Sequence, residues 1–395
     1  MLDVDFLELD LKNKRVLIRE DLNVPMKKGK ILSNARLLAA LPTIKHAVDN
    51  GAEVTVMSHL GRPRENLSIR DQPEFSLKPV VDRLEVLSGL SFELVSNYID
   101  GFVRGKADVT VLENVRLNLG ESTNNQLLSK RLAALCDIYV MDAFACAHRA
   151  HSSTTGIIRY APISCSGPLL RKELDALRKA LYAPKKPMLA IVGGSKVSTK
   201  LAVLESLVNQ LDQLIVGGGI ANTFLAAKGF DIGRSLYEND LLEFAADLYK
   251  KINIPLPTDV VVASGIKSDA QIRICNVSDI RVEEMIVDFG PESISRLKDF
   301  IACAGTILWN GPIGVFEIDK FEEGTKQIAE AIASSRAFSL AGGGDTLAAI
   351  ERYGVNSGIS YSSTGGGAFL EYVGGQTLPA VQELANQHNS KEYLR

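Results

Sequence analysis

The sequence is short of the features that would place it outside a reducing, aqueous compartment. Its five cysteines (Cys136, Cys146, Cys165, Cys275 and Cys303) are odd in number and form no C-x-x-C pair. That argues against a disulfide framework or a thiolate zinc site and for reduced thiols in a cytosol. No apolar run approaches the roughly 20 residues that a bilayer span needs. The opening "MLDVDFLELDLKNK" alternates acids with apolar residues and lacks the basic start and apolar core of a signal peptide. Neither sign of charge dominates: 44 Lys and Arg against 47 Asp and Glu give a formal net charge of −3. Composition therefore offers no electrostatic case for nucleic-acid or membrane binding. Two nucleotide signatures are missing as well, the G-x-x-x-x-G-K-[ST] loop and a G-x-G-x-x-G turn after a strand. No fixed-period repeat occurs, which excludes solenoids. The sequence predicts a soluble, cytoplasmic protein in which any anionic ligand is held by locally gathered cations.

What is present is a rhythm of short apolar runs. With 395 residues, 46% of them hydrophobic, the chain is too long for one ordinary core, so two domains are expected. Strands are predicted at "RVLIR" (15–19), "EVTVM" (53–57), "DVTVL" (108–112) and "DIYVM" (137–141). A second set follows at "MLAIV" (188–192), "QLIV" (213–216), "DVVVA" (259–263), "TILW" (306–309) and "AFSLA" (337–341). Such runs are continuous rather than alternating, the mark of parallel sheets covered by helices on both faces. Helical spacing joins Leu37, Leu41, Ile44 and Val48 over 34–50, and Leu201, Leu204, Val208 and Leu211 after the 188–192 strand. The stretch "GPLLRKELDALRKALYAP" (167–184) reads as a helix with Pro168 in its first turn and Pro184 beyond its end. It separates two sets of βα units whose turns differ in chemistry, so the domain boundary is placed there; an ordinary crossover helix within one large sheet fits the pattern equally well.

In open parallel sheets ligands bind beyond the carboxyl ends of the strands, so the turns there carry the information. In the first half those turns hold Asp21 and Asn23, then His59, Gly61 and Arg62, then Arg116, then Arg149 between His148 and His151, with Arg36 early in the first helix. Singly, each is a solvated arginine or a turn cap. Together, four guanidinium groups and an imidazole on one sheet edge predict a pocket for a small, strongly anionic molecule. Metal binding by His148 and His151 lacks a third ligand and is set aside. The second half has glycines instead: "VGGSKVSTK" (192–200), "VGGGIANTF" (216–224), "WNGPIGVFE" (309–317), "AGGGDTLAA" (341–349) and "STGGGAFLE" (363–371). Five such turns predict a floor of main-chain amides for nucleotide phosphates, with Lys196 and Lys200 in reach. Asp345 is either a helix N-cap or a ligand for a hard cation such as Mg²⁺.

These segments, together with "REDLNVP", "SHLGRP", "LENVRLNLGE" and "DAFACAHRAH", stand in the order found in phosphoglycerate kinases, which the chain resembles from about residue 5 to about residue 385. The resemblance implies two Rossmann-like α/β domains with parallel sheets flanked by helices. These would be an N-terminal domain (1–167), a hinge helix (168–184), a nucleotide-binding domain (185–375) and a C-terminal segment (376–395) packing back on the first. It implies reversible transfer of the acyl phosphate of 1,3-bisphosphoglycerate to Mg-ADP, giving 3-phosphoglycerate and ATP in glycolysis, by a monomer. Carried over residue by residue, Asp21, Leu22, Asn23, Arg36, His59, Leu60, Gly61, Arg62, Arg116 and Arg149 would bind the phosphoglycerate. Lys196, Lys200, Asn310, Glu317, Gly343, Gly344, Asp345 and Thr346 would bind ADP or ATP, with Glu317 on the ribose and Asp345 on Mg²⁺. Glu20 and Leu22 depart from the commoner residues flanking Asp21, Ala145-Cys146 replace a usual Gly-Thr, and Thr199 stands where some members have aspartate.

The chemistry so implied needs no general base, because the attacking carboxylate is already ionised at neutral pH. It needs in-line positioning and neutralisation of charge on the moving phosphoryl group, for which Arg36 and Lys196 are the catalytic candidates, and a cleft that closes to exclude water. Two other readings are weighed against it. A nicotinamide-dependent oxidoreductase on a similar sheet lacks its glycine fingerprint here; a non-catalytic phospho-ligand-binding protein would have shed Arg36, Lys196 or Asp345, and all three are present.

Overall fold

The computed structural model describes residues 5–27 and 29–392. Its contacts divide the chain into two units: one runs up to Leu174 and resumes from Thr377, the other is Asp175–Gln376. The division falls inside the helix Pro168–Leu181.

The first unit is built on a six-stranded sheet, ordered Phe92–Val95, Val109–Leu112, Glu53–Met57, Arg15–Arg19, Ile138–Met141, Ile163–Ser166. Every pairing is parallel. Arg15–Arg19 is central, with Val16 and Ile18 fully buried against Leu37, Leu41 and Ile44 of the helix Ala35–Asp49. Burying apolar side chains of this size contributes about 1.5–3 kcal/mol each, which is why the apolar runs and not local propensity set these strands. The helix Pro379–Glu392 returns to this unit. Ala380 N–H donates to the Ala147 carbonyl at 3.1 Å, Gln387 Nε2 to the Ile158 carbonyl at 2.7 Å, and Arg159 pairs with Glu383 at 2.8 Å.

The second unit has a five-stranded parallel sheet ordered Gln213–Val216, Met188–Val192, Thr306–Asn310, Phe338–Gly342, Tyr361–Ser363. The chain order reverses direction at Met188–Val192, and all five glycine-rich turns leave the carboxyl ends of these strands. One expectation is corrected here. Asp259–Ala263 is not in a parallel sheet: it pairs antiparallel with both Ile272–Asn276 and Met285–Phe289. Its apolar run arises because two small cores cover it, Leu225 and Ile232 with Val260 and Val262, and Phe321 and Val287 with Ala263. Burial on both faces, the property read from the sequence, does not by itself dictate strand direction.

The glycines of the turns serve two ends. A Cβ on Gly193 would sit 1.8 Å from the Pro312 carbonyl oxygen, so this glycine lets two turns nest against each other. A Cβ on Gly344 would meet nothing within 4 Å, so the space beside this residue is open.

Candidate active site

In the first unit the sequence-predicted residues converge through main-chain bonds. Asn23 sits three residues past the buried Arg19–Glu20 pair, and its Oδ1 accepts from Gly61 N–H at 2.8 Å, tying the first turn to the second. Gly61 there has φ 61°, a conformation that favours glycine, and its carbonyl accepts from Arg116 Nη1 at 2.6 Å. Arg36 Nη1 pairs with Asp21 Oδ2 at 2.8 Å and donates to the Asn23 carbonyl at 2.8 Å, while Nε and Nη2 have no hydrogen bond among the described residues. Leu22 and Leu60 are buried with side chains in the hydrophobic core, so only their main chain can face a ligand. Arg62, Arg116, Arg149 and His151 line a cavity of about 490 Å³ with Pro63, Glu65 and Ser122. Its one acid, Glu65, already accepts from Gly120 N–H at 3.0 Å and Ser122 N–H at 3.1 Å, so the guanidinium field is left for a guest.

Behind the cavity lies a layer that the sequence reading missed. Arg19 ends the central strand, is 2% exposed, and donates through Nε to Ser153 Oγ at 3.1 Å. Ser153 N–H in turn donates to Glu121 Oε2 at 3.0 Å, and burial raises the Glu121 carboxyl above its ordinary range. Arg19 Nη2 lies 3.2 Å from His59 Nδ1 and 3.8 Å from Cys146 Sγ. Asp21, His59 and Cys146 bring their ligand atoms within 4.8 Å of one another, but the cation in that cradle is the protein's own guanidinium. His59, 3% exposed, is held well below the usual imidazole range by burial first and then by Arg19, Arg116, Arg149 and Arg36. It is buried beside Arg19 and is not among the residues that line the cavity. An arginine at the end of an apolar strand was the available signal: a charge there must be paired.

Burial, then Arg116, Arg149 and Arg19, lower His151 to about 4, with Glu121 3.8 Å away. In the unfolded chain it would titrate near 6.5, so the unfolded state gains a proton as pH falls through that value while the folded state does not. Its contribution is full above about pH 6.5 and is lost progressively toward pH 4. The buried acids Glu20, Glu121 and Asp142, all raised, act in the opposite sense. The test is therefore a difference: between pH 7 and pH 5 the urea midpoint of the wild-type protein is expected to fall more than that of His151→Gln. Equal slopes would show that His151 titrates normally in the fold.

In the second unit the strand ends assemble a different surface. Lys200 Nζ bonds Asn310 Oδ1, Asn310 Nδ2 donates to the Gly342 carbonyl at 2.6 Å, and Thr346 Oγ1 accepts from Gly311 N–H at 2.7 Å. Burial lowers Lys200, and Asp345 opposes that. Asp345 is not the N-cap: Gly343, with φ 99°, holds that position, and Asp345 lies exposed in the first turn of Gly344–Arg352. One exposed carboxylate in the first turn of a helix fits a Mg²⁺ that keeps several waters and takes its other ligands from phosphate. Lys196 is exposed in the turn after Met188–Val192. Glu317 and Asp345 line a cavity of about 300 Å³ whose walls are largely apolar, with Leu236, Met285 and Val315 among them. Asp288 is also in its wall, pushed up to about 7 by burial although Gly324 and Phe289 N–H both donate to it. Of the sequence-predicted nucleotide residues, Glu317 and Asp345 line this cavity, while Lys200, Asn310 and Thr346 are joined by the bonds at the strand ends.

Comparison with known proteins identifies the family. The family model for phosphoglycerate kinase matches residues 6–376. The solved phosphoglycerate kinase of Coxiella burnetii is 48% identical, with a TM-score of 0.93 over 98% of this chain and 100% of that one. That of Pyrococcus horikoshii OT3 is 32% identical, with a TM-score of 0.81 over 98% of this chain and 99% of that one. Two parallel sheets flanked by helices are the fold shared with these relatives, and the chain belongs to the phosphoglycerate kinase family of phosphoryl-transferring enzymes.

Proposed function

We propose that this enzyme catalyses the reversible, Mg²⁺-dependent transfer of the acyl phosphate of 1,3-bisphosphoglycerate to ADP, yielding 3-phosphoglycerate and ATP, as a monomeric, cytoplasmic step of glycolysis. The observation that carries the reading is the cavity in which Arg62, Arg116 and Arg149 meet while its single acid is consumed by main-chain amides. Guanidinium forks bind carboxylate and phosphate through paired, charge-assisted bonds, so a small molecule bearing both suits this lining.

Asp21 and Asn23 would fix Arg36 and the 59–62 turn around the phosphoglycerate. Lys200, Asn310 and the Gly343–Thr346 turn would hold the nucleotide phosphates, with Glu317 on the ribose. Asp345 would hold Mg²⁺, which when bound neutralises phosphate charge. Arg36 and Lys196 would stabilise the charge spread over the transferring phosphoryl oxygens, and no side chain is asked to remove a proton. Transfer also demands that water be excluded when the substrates meet, and we assign hinge motion to the helix Pro168–Leu181, within which the two units divide.

A coupled assay of ATP-dependent 3-phosphoglycerate phosphorylation tests the reading. Turnover is expected with Mg²⁺ and its loss on adding a chelator. Absence of turnover with Mg²⁺ and both substrates present would overturn it.

A further inference from the structure

Glu20, a departure from the commoner residues beside Asp21, lies in a setting that offers its side chain no donor. It is fully buried, and neither carboxyl oxygen accepts a hydrogen bond from an N–H or O–H group of the described residues. Arg19, its neighbour in sequence, directs its guanidinium elsewhere: to Ser153 Oγ at 3.1 Å, to the Glu20 carbonyl, and toward His59 Nδ1 at 3.2 Å. What the Glu20 carboxyl meets is a second carboxyl. Arg15–Arg19 and Ile138–Met141 run parallel with Arg19 opposite Met141, and Asp142 N–H donates to the Arg19 carbonyl at 3.0 Å. Glu20 and Asp142 continue that register side by side, and their carboxyl groups come within hydrogen-bonding reach of each other. Two ionised carboxylates make no such bond, since both only accept. One of them carries a proton.

Which one follows from the donors. Asp142, also fully buried, accepts from Leu170 N–H at 3.0 Å through Oδ1 and from Thr43 Oγ1 at 2.5 Å through Oδ2, and Leu169 N–H adds a third bond. Leu169 and Leu170 stand in the first turn of the helix Pro168–Leu181. A Cβ on Gly167 would lie 2.3 Å from the Asp142 carboxyl, so this side chain from a strand end seats directly on the helix start. Three donors and the positive end of a helix favour charge on Asp142, and Glu20 has neither. Burial first, and Asp142 next, hold Glu20 well above the ordinary carboxyl range, with Asp21 acting in the same sense and Arg19 against it.

We propose that Glu20 and Asp142 share one proton, carried on Glu20, and that this O–H bond keeps the Asp142 carboxylate seated on the first turn of the helix Pro168–Leu181. The pair is a latch between two strand ends and a helix start, made by an acid that works only while neutral. It is independent of the substrates assigned above.

Two variants test it. Glu20→Gln keeps the shape and a donor but cannot ionise; Glu20→Leu keeps similar bulk and loses the donor. An acid held protonated in the fold contributes stability that is complete below its ordinary value of about 4.3 and is lost as pH rises toward its folded value. Between about pH 5 and pH 7.5 the urea midpoint of the wild-type protein is therefore expected to fall relative to that of Glu20→Gln, the unfolding constants diverging by up to about tenfold per pH unit. His151 and the other buried acids are present in both proteins and cancel in the difference. Parallel midpoints over that range would show that Glu20 holds no proton and would overturn the proposal. Native-state hydrogen exchange reads the seat: the Leu170 amide is expected to be as protected in Glu20→Gln as in wild type, and to exchange roughly tenfold faster in Glu20→Leu. Equal protection in all three proteins would refute the latch. Where Glu20→Leu does not fold, the midpoint comparison, which needs only the isosteric variant, still decides.

Discussion

Replacing Arg36 with alanine is expected to lower kcat by on the order of a thousandfold or more while leaving ADP affinity within a few-fold of wild type. Its guanidinium is aimed by two bonds through Nη1, one to Asp21 Oδ2 at 2.8 Å and one to the Asn23 carbonyl at 2.8 Å. Nε and Nη2 are thereby presented at fixed angles without being used up. A preorganised donor of this kind acts where charge develops, so its loss is expected to fall on the chemical step and not on ground-state binding of a nucleotide, which is assigned to the other unit. Unfolding does not explain such a loss. The pair is partly exposed, and pairs of that kind contribute about 1 kcal/mol or less. Arg36→Lys keeps the charge but not the fork and should fall between the two. Steady-state kinetics and calorimetry with ADP separate the terms; a near-normal kcat for Arg36→Ala would remove this residue from the reaction.

The sequence made the framework of this argument visible unevenly, for identifiable reasons. The nine apolar runs all fall in strands whose limits lie within a residue of those expected, because continuous burial leaves few other choices. Ile163–Ser166 and Tyr361–Ser363 went unseen because "ISCS" and "YSS" carry serines where the pattern looks for branched apolar side chains. Phe92–Val95 is an edge strand with three half-buried positions, so its apolar signal is diluted. The direction of Asp259–Ala263 was lost because periodicity reports burial and not pairing. At the site, exposed arginines at strand ends were legible since a surface charge in a turn has no packing role to hide behind. Arg19 was not, since it is a buried polar group inside an element read for its apolar neighbours. Only coordinates show that Arg19 is linked through Ser153 to Glu121.

The two lysines of the first glycine turn look equivalent in the sequence and are expected to separate sharply on mutation. Lys200 is half-buried and committed: it bonds Asn310, which is itself fixed to the Gly342 carbonyl at 2.6 Å. Lys196 is exposed, and the turn that carries it is braced without using its ammonium. Glu238 accepts from Ser198 N–H at 2.8 Å, and Thr199 Oγ1 donates to the Lys196 carbonyl at 2.8 Å. An ammonium on a flexible stem, released from other duties, is the group that can follow a phosphoryl oxygen as its charge shifts. Lys196→Ala is therefore expected to reduce turnover by on the order of a thousandfold, with 3-phosphoglycerate affinity unchanged, because the residues assigned to that ligand lie in the unit ending at Leu174. Lys200→Met should show the other signature, weaker ADP binding and a lower melting temperature, since it leaves the buried Asn310 oxygen unpaired. Turnover assays paired with calorimetry decide between them. If Lys196→Ala turned over normally while Lys200→Met lost kcat alone, the mobile cation of the reaction would be the half-buried lysine, and the division of labour drawn from their hydrogen bonds would be reversed.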